Sequence, residues 1–332
     1  MKRREFITLL GGAAAAWPLA TRAQQPERTR RIGVLMSMDE SDPEGQAHLA
    51  GFTQRLSELG WTPDRNLQME VRWGAADIAR IRTFAKELAA MQPDLIVSQG
   101  TPVTAALQRE TRTIPIVFVT VTDPVGDGFV AGLPRPGGNI TGFLTSESGI
   151  TAKMLELLLE VAPGLTRVAI LFNPDTAPGG GNYYFRDFDK AAKSSKVEPI
   201  ALHARSESEI IRGLTSLGES ASAGLIVMPD YFMLVRVQPI VALAAQNKVP
   251  TIYPWKRVVT RGGGLLSYGP DLADIVRRGA PYVDQILRGA KPSDLPVQVP
   301  VKFEMAVNVK TATALALTVP ASVLLRADEV IE

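Results

Sequence analysis

The feature that most restricts this chain is that it carries one pattern twice. Arg31-Ile32-Gly33-Val34-Leu35 returns 136 residues later as Arg167-Val168-Ala169-Ile170-Leu171. Asp94-Leu95-Ile96-Val97 has a counterpart in Gly224-Leu225-Ile226-Val227 at an offset of 130, and Ile114-Pro115-Ile116-Val117 in Val249-Pro250-Thr251-Ile252 at 135. Three β-rich runs that repeat in order, at nearly one spacing, predict two lobes of one topology. The runs are almost continuously apolar, as in parallel strands covered on both faces. Between them lie helical faces with i, i+3, i+4, i+7 spacing, such as Leu49, Phe52, Leu56 and Leu59, or Ile78, Ile81, Phe84 and Leu88. Alternating strand and helix gives an α/β protein of two doubly wound, Rossmann-like lobes. Leu272, Ile275, Val276, Val283 and Leu287 mark one further helix after the second half, read as a return to the first lobe. A chain that crosses several times makes a multi-strand hinge. The expected division is 30–145 plus about 270–290 in the first lobe, and 146–269 plus about 291–332 in the second.

Open parallel sheets bind ligands beyond the carboxyl ends of their strands. The residues just after the apolar runs are therefore the candidate ligand contacts: Ser37 and Met38, Gly100, Thr101 and Pro102, Thr122 and Asp123, Asn173, Asp230, Tyr253 with Trp255, and Tyr268. Thr101 reads as an N-cap and Pro102 as a first helical residue. A helix start there offers free N–H groups and the positive end of a dipole to a carboxylate. Asp123 and Asp230 each follow a strand and could hold an ammonium, although either could equally be a turn or cap aspartate. A carboxylate seat facing an acid is what a zwitterionic amino acid needs. Five of the six tyrosines, Tyr183, Tyr184, Tyr231, Tyr253 and Tyr268, fall at or near these strand ends, and Tyr183 joins the candidates. Aromatic walls bury ligand area and keep a polar edge, with two or three of these residues expected to serve packing instead.

The chain opens "MKRREFITLLGGAAAAWPLATRAQQ". A basic start, a short apolar run and the small-residue stop Thr21-Arg22-Ala23 read as an export signal over residues 1–23. The adjacent Arg3-Arg4 resembles a twin-arginine signal, with a general secretory signal as the alternative. No Cys follows the run to take a lipid, so the expectation is an exported, soluble, non-lipidated periplasmic protein that needs no disulfides. Residues 1–23 carry a net +3 of the full chain's +2, which leaves the mature part near −1. That balance argues against nucleic acid as a partner.

Other motifs carry less. Gly126-Asp127-Gly128 with Gly132 lacks the dinucleotide spacing, and Pro134 and Pro136 stand where its helix should run. The triplets Gly179–Gly181 and Gly262–Gly264 read as loop or crossing segments. His48 and His203 are the only histidines and there is no Cys, so no metal site and no cofactor are expected. His48 sits in a helical stretch and reads as a surface or packing residue. No G-x-S-x-G is present, and an enzyme is not expected.

At "RIGVLMSMDESDPEGQAHLAGFTQRLSELGW", "PDLIVSQGTPVTAALQRETRTIPIVFVTVTDPVGDGFVAGLPRPGGNITGF" and "GGLLSYGPDLADIVRRGAPYVDQILRGAKPSDLPVQVP" the chain resembles the ABC transporter substrate-binding proteins of the tryptophan/tyrosine transport type. The resemblance spans residues 30–332 and implies the type I periplasmic binding fold. It implies a monomeric clamp that closes on a small carboxylated ligand, several family members taking an aromatic amino acid, and a permease partner in the inner membrane. By that likeness Thr101 seats the carboxylate, with Thr122 and Asp123 beside it, and Asp230 meets the ammonium from the other lobe. The sequence departs from the commoner members in having no lipidated Cys, and in the loop that carries Gly179-Gly180-Gly181. Alternatives are a binder of aromatic acids without an amine, a ligand-sensing subunit, and an exported enzyme.

Overall fold

The computed structural model describes residues 29–332 apart from 148 and 221, so the arginine pair and the expected export signal lie outside the described residues. The first sheet holds β1 (Arg30–Met36), β2 (Leu67–Trp73), β3 (Leu95–Gln99), β4 (Ile116–Val121) and β5 (Ile140–Leu144), all parallel, in the order β2-β1-β3-β4-β5. The second holds β6 (Arg167–Phe172), β7 (Glu198–His203), β8 (Ala223–Val227), β9 (Thr251–Tyr253) and β10 (Leu266–Pro270) in the order β7-β6-β8-β9-β10. The two orders are the same. The repeated runs are β1 and β6, β3 and β8, β4 and β9. The second sheet is then extended by β11 (Phe303–Asn308), antiparallel to β10, and β12 (Glu329–Ile331), parallel to β11.

In the first lobe the helices α1 (Pro43–Glu58), α2 (Ile78–Ala90) and α3 (Thr101–Glu110) cover the sheet. Both α1 and α2 start on an aspartate cap, Asp42 accepting from the Glu44 amide and Asp77 from those of Ala79 and Arg80. The second lobe carries α4 (Ile150–Val161), α5 (Asn182–Ser194), α6 (Glu207–Gly218), α7 (Tyr231–Leu234), α8 (Val237–Gln246) and α9 (Lys256–Thr260).

The long helix α10 (Leu272–Leu287) leaves β10 and packs back on the first lobe. Its Ile275, Val276, Val283 and Leu287 share one core with Ile32, Val34 and Val119. Burying each such side chain stabilises by roughly 1.5–3 kcal/mol, which ties the return firmly. The segment after α10, placed with the second lobe from sequence, runs along the first sheet as far as Gln298. Leu295 and Val297 are buried in first-lobe cores. The Gln298 amide donates to Gly142 O (2.9 Å) and its carbonyl accepts from the Leu144 amide (2.8 Å), so it satisfies the free edge of β5. The chain then crosses to β11. Crossings near 145, 271 and 299–302 form the hinge.

Candidate ligand-binding cleft

A sheet of order 2-1-3-4-5 leaves a crevice where its strand order reverses, beyond the carboxyl ends of the first and third strands. In this molecule the two crevices face each other. A cavity of about 470 Å³ lies between them, a size that suits a small organic ligand.

The first-lobe wall is built by Ser37 after β1, Gln99 at the end of β3 with Thr101 beyond it, and Thr122 after β4. The N-cap of α3 is Gly100, one residue earlier than the sequence pattern suggested, with Thr101 and Pro102 as the first helical residues. Gly100 adopts φ 91°, a left-handed conformation that costs a side chain-bearing residue and that glycine takes freely. With no side chain at the cap, no side chain among the described residues caps this helix end. Among the described residues no acceptor takes the amides of Thr101 or Val103, and Pro102 has none. The Thr101 hydroxyl is likewise not spent on capping. Behind this end, Gln99 Oε1 accepts from the Ser37 amide (3.3 Å) and hydroxyl (3.4 Å), which fixes both side chains at the cavity edge.

Gln99 Nε2 lies 3.5 Å from His48 Nδ1. His48 is only 4% exposed and reaches the cavity, so it is neither a surface nor a purely packing residue. Burial holds its pKa below the usual histidine value, which favours the neutral ring. The signal was its place on the buried stripe Gly45, His48, Phe52, Leu56 of α1. Thr120, at a register shift in β4, also lines the cavity with φ 60°. A β-branched residue held there costs on the order of 1–3 kcal/mol, a strain of the kind found at ligand clamps.

The second-lobe wall centres on Asp230, after β8, 3% exposed. Its Oδ2 accepts from the Asn173 amide (2.9 Å), and its Oδ1 from the Met233 amide (2.9 Å) and the Thr176 hydroxyl (3.3 Å). These bonds favour the carboxylate, but burial outweighs them and pushes its pKa up to about 6. A cation arriving in the cavity would complete the site. Tyr184 stands beside it, 1% exposed, and among the described residues its hydroxyl makes no well-formed hydrogen bond, although the Thr122 side chain lies near enough to act on it. The glycine triplet delivers that ring. Gly181 has φ 95°, and a Cβ there would lie 1.9 Å from the Phe172 ring, so only glycine lets α5 start this close to the end of β6. Thr145 Oγ1 and Asp127 Oδ2 are further polar atoms at this cavity without a hydrogen-bond partner among the described residues.

Of the sequence-derived candidates, Ser37, Met38, Gly100, Thr101, Pro102, Thr122, Asp230 and Trp255 line the cavity. Five do not. Asp123 is a turn aspartate whose Oδ1 accepts from the Gly126 amide (2.9 Å). Asn173 is buried behind Asp230 and acts through its backbone amide. Tyr183 points its hydroxyl to Ser146 O (3.3 Å). Tyr253 is 1% exposed in the core under α8. Tyr268 stacks on Phe303 with centroids 5.6 Å apart. The cavity also holds Gln99, His48, Thr120, Thr145 and Tyr184, which were not among those ligand-contact candidates, although Tyr184 was one of the strand-end tyrosines. Among the described residues no group of His, Cys, Asp and Glu could hold a metal ion.

Two parallel α/β lobes, one sheet order, and a cavity between their switch points define a two-lobed binding protein of the type I periplasmic fold. The chain belongs to the ABC transporter substrate-binding protein family, whose model matches residues 32–331. It is similar to the tyrosine-binding protein of Clostridioides difficile (strain R20291), 27% identical over 290 residues, covering 87% of this chain and 81% of that one. Among solved structures it resembles the ABC domain in complex with L-Trp from Streptococcus pneumonia, at a TM-score of 0.82 and 26% identity, covering 91% of this chain and 100% of that one. A conserved domain protein from Vibrio cholerae matches at the same TM-score, identity and coverage.

Proposed function

We propose that this chain is the exported, periplasmic solute-binding subunit of an ABC importer, and that it clamps a zwitterionic aromatic amino acid between its lobes. One observation carries the reading: an uncapped helix end and a buried carboxylate face the same cavity from opposite lobes. The ligand carboxylate sits at the Thr101 amide and hydroxyl, at the start of α3, where the helix dipole favours an anion. Its ammonium sits at Asp230 and replaces the proton that burial favours there. The side chain lies among Met38, Leu272 and Trp255, which supply apolar and aromatic surface. Tyr184 supplies the polar edge. The relatives that carry tyrosine or L-Trp in their names support an aromatic side chain.

No bond is made or broken in this account. The ligand touches both lobes only when they are closed, so it shifts the population toward closure, and the closed form is what the membrane permease receives. Residues 1–23 deliver the chain across the inner membrane and are removed. No helix among the described residues is long and apolar enough to cross a membrane. The monomer needs no cofactor.

A thermal-shift screen of residues 24–332 against amino acids and aromatic acids tests the reading. A ligand at about a thousandfold its dissociation constant adds about 4 kcal/mol. In a protein of this size that raises the midpoint on the order of 10 °C. The expected result is such a shift with L-tryptophan or L-tyrosine. A shift with aromatic acids that lack the amine, and none with the amino acids, would overturn the role of Asp230.

A further inference from the structure

One charged contact spans the cleft and belongs to neither the hinge nor the ligand seats. Arg257, in α9 of the second lobe, places Nη1 2.7 Å from Glu44 Oε2 and 3.5 Å from Asp42 Oδ2. Both acids stand at the start of α1, in the first lobe. Asp42 already caps that helix through its other oxygen, which accepts from the Glu44 amide (2.9 Å). The other Glu44 oxygen lies 3.9 Å from His48 Nε2. The three side chains are between 27% and 29% exposed. Their position adds meaning: Glu44 and Arg257 border the ligand cavity on one side and a hollow of about 420 Å³ toward the hinge on the other. The contact therefore closes the back of the cleft.

Its partners ride on different lobes, so it exists only when the lobes are together. A contact made in one of two states shifts their balance by its own strength. We propose that Arg257 with Glu44 and Asp42 forms a latch that sets how often the lobes stand closed, and thereby how fast a bound ligand escapes. The part that concerns release rests on the clamp reading above; the part that concerns closure does not. A small network of this kind, partly shielded from solvent, contributes more than a single exposed pair, and salt weakens it. The observed affinity of a ligand scales with the closed fraction.

The full chain has no cysteine, so two introduced ones can be labelled uniquely. Glu110→Cys in α3 and Lys190→Cys in α5 place spin labels on opposite lobes. Their distance distribution is measured without ligand, at low salt and at about 1 M salt, where the screening length falls to roughly 3 Å. Arg257→Gln and Glu44→Gln are each expected to lower the closed-to-open ratio about three- to tenfold and to remove most of its salt dependence. The double variant should fall no further than either single one, as for a pair acting together. With L-tryptophan and L-tyrosine as probes, the dissociation rate should rise by the same factor. Distance distributions that match the unsubstituted chain in both variants, at both salt levels, would overturn the latch. If release changes while the ligand-free distances do not, Arg257 is a ligand contact and the latch is again overturned. If the distances shift as expected but the unsubstituted chain binds neither amino acid, the latch stands and the ligand reading falls.

Discussion

The two lobes share one topology, and their difference at matched positions makes the site. Adding the 136-residue offset of the first strand takes Ser37 to Asn173; adding the 130-residue offset of the third takes Gly100 to Asp230. In each lobe the backbone amide after the first strand donates to a side chain at the end of the third, to Gln99 in one and to Asp230 in the other. The helix that follows starts on glycine in the first lobe and on aspartate in the second. Glycine leaves amide donors open to the cavity. Aspartate caps its own short helix through the Met233 amide and still presents a carboxylate to the cavity. On the proposed reading, a duplicated frame has thus become a donor seat facing an acceptor seat. Such a pair recognises a dipolar ligand, where two equal seats would recognise a symmetric one.

The sharpest way to break this asymmetry is to make the lobes alike. Gly100→Asp puts an anion where the ligand carboxylate should sit, at a residue with φ 91°. Affinity for L-tryptophan or L-tyrosine should fall by more than about a hundredfold in calorimetric titration, and strain should destabilise the fold by roughly 1–2 kcal/mol in urea unfolding. Gly100→Ala carries the strain without the charge, because its Cβ would meet Ser37 Oγ at an ordinary 3.6 Å. If both variants bind equally poorly, charge at this position is irrelevant and the donor seat is misassigned.

Asp230→Asn attacks the other half. It keeps the shape and the hydrogen-bond acceptor on one side but removes the charge. Binding should weaken about a hundredfold, the range for one member of a desolvated charge pair. Because burial lifts the carboxyl to about 6 in the ligand-free protein, acidity should show the same dependence. Affinity should drop as the pH falls through about 6, by up to about tenfold per unit, since the proton and the ligand ammonium compete. Folding stability moves oppositely on account of this group. Its folded pKa lies above the unfolded value of 3.8, so its contribution is fully present below about 3.8 and is lost as the pH rises toward 6. Titrations in Asp230→Asn should lose the Asp230 share of that dependence and keep the share of Asp127, a cavity carboxyl that burial also raises to about 6.

Smaller effects sharpen the picture. Thr101→Val removes a hydroxyl from the donor seat and should cost about three- to tenfold in affinity, the worth of one hydrogen bond. Tyr184→Phe should change the stability of the ligand-free protein by less than about 1 kcal/mol, since among the described residues its buried hydroxyl makes no well-formed hydrogen bond. The same change should weaken ligand binding about tenfold if that hydroxyl meets the ligand. Unchanged binding would assign Tyr184 to packing alone.

Most of the frame was legible because buried parallel strands write themselves as apolar runs, and a repeat doubles the signal. The site was legible to the extent that a strand end implies a crevice. That rule named Ser37, Thr101, Thr122, Asp230 and Trp255, all of which line the cavity. It could not separate Tyr183 from Tyr184, because neighbours in a first helical turn point apart and only the Phe172–Gly181 contact fixes which enters the cleft. It overreached at Tyr253, the last residue of β9, whose side chain points into the core. It put the cap of α3 one residue late because threonine is the usual cap and a left-handed glycine leaves no sequence mark beyond itself. His48 was missed as a cleft residue because one polar side chain on an apolar helical stripe looks the same whether it faces a core or a cavity. The path of residues 291–298 was hidden because an edge-satisfying segment needs no periodic pattern, only Gln298 at the right place.

On the proposed reading, the cleft reads both ends of a zwitterion, one with each lobe. Isothermal titration of residues 24–332 with L-tryptophan and with its analogue lacking the amine, side by side at neutral pH, tests it most directly. The account predicts that the analogue binds at least about a hundredfold more weakly. Equal affinity for the two would contradict it, and would leave Asp230 as a helix cap and nothing more.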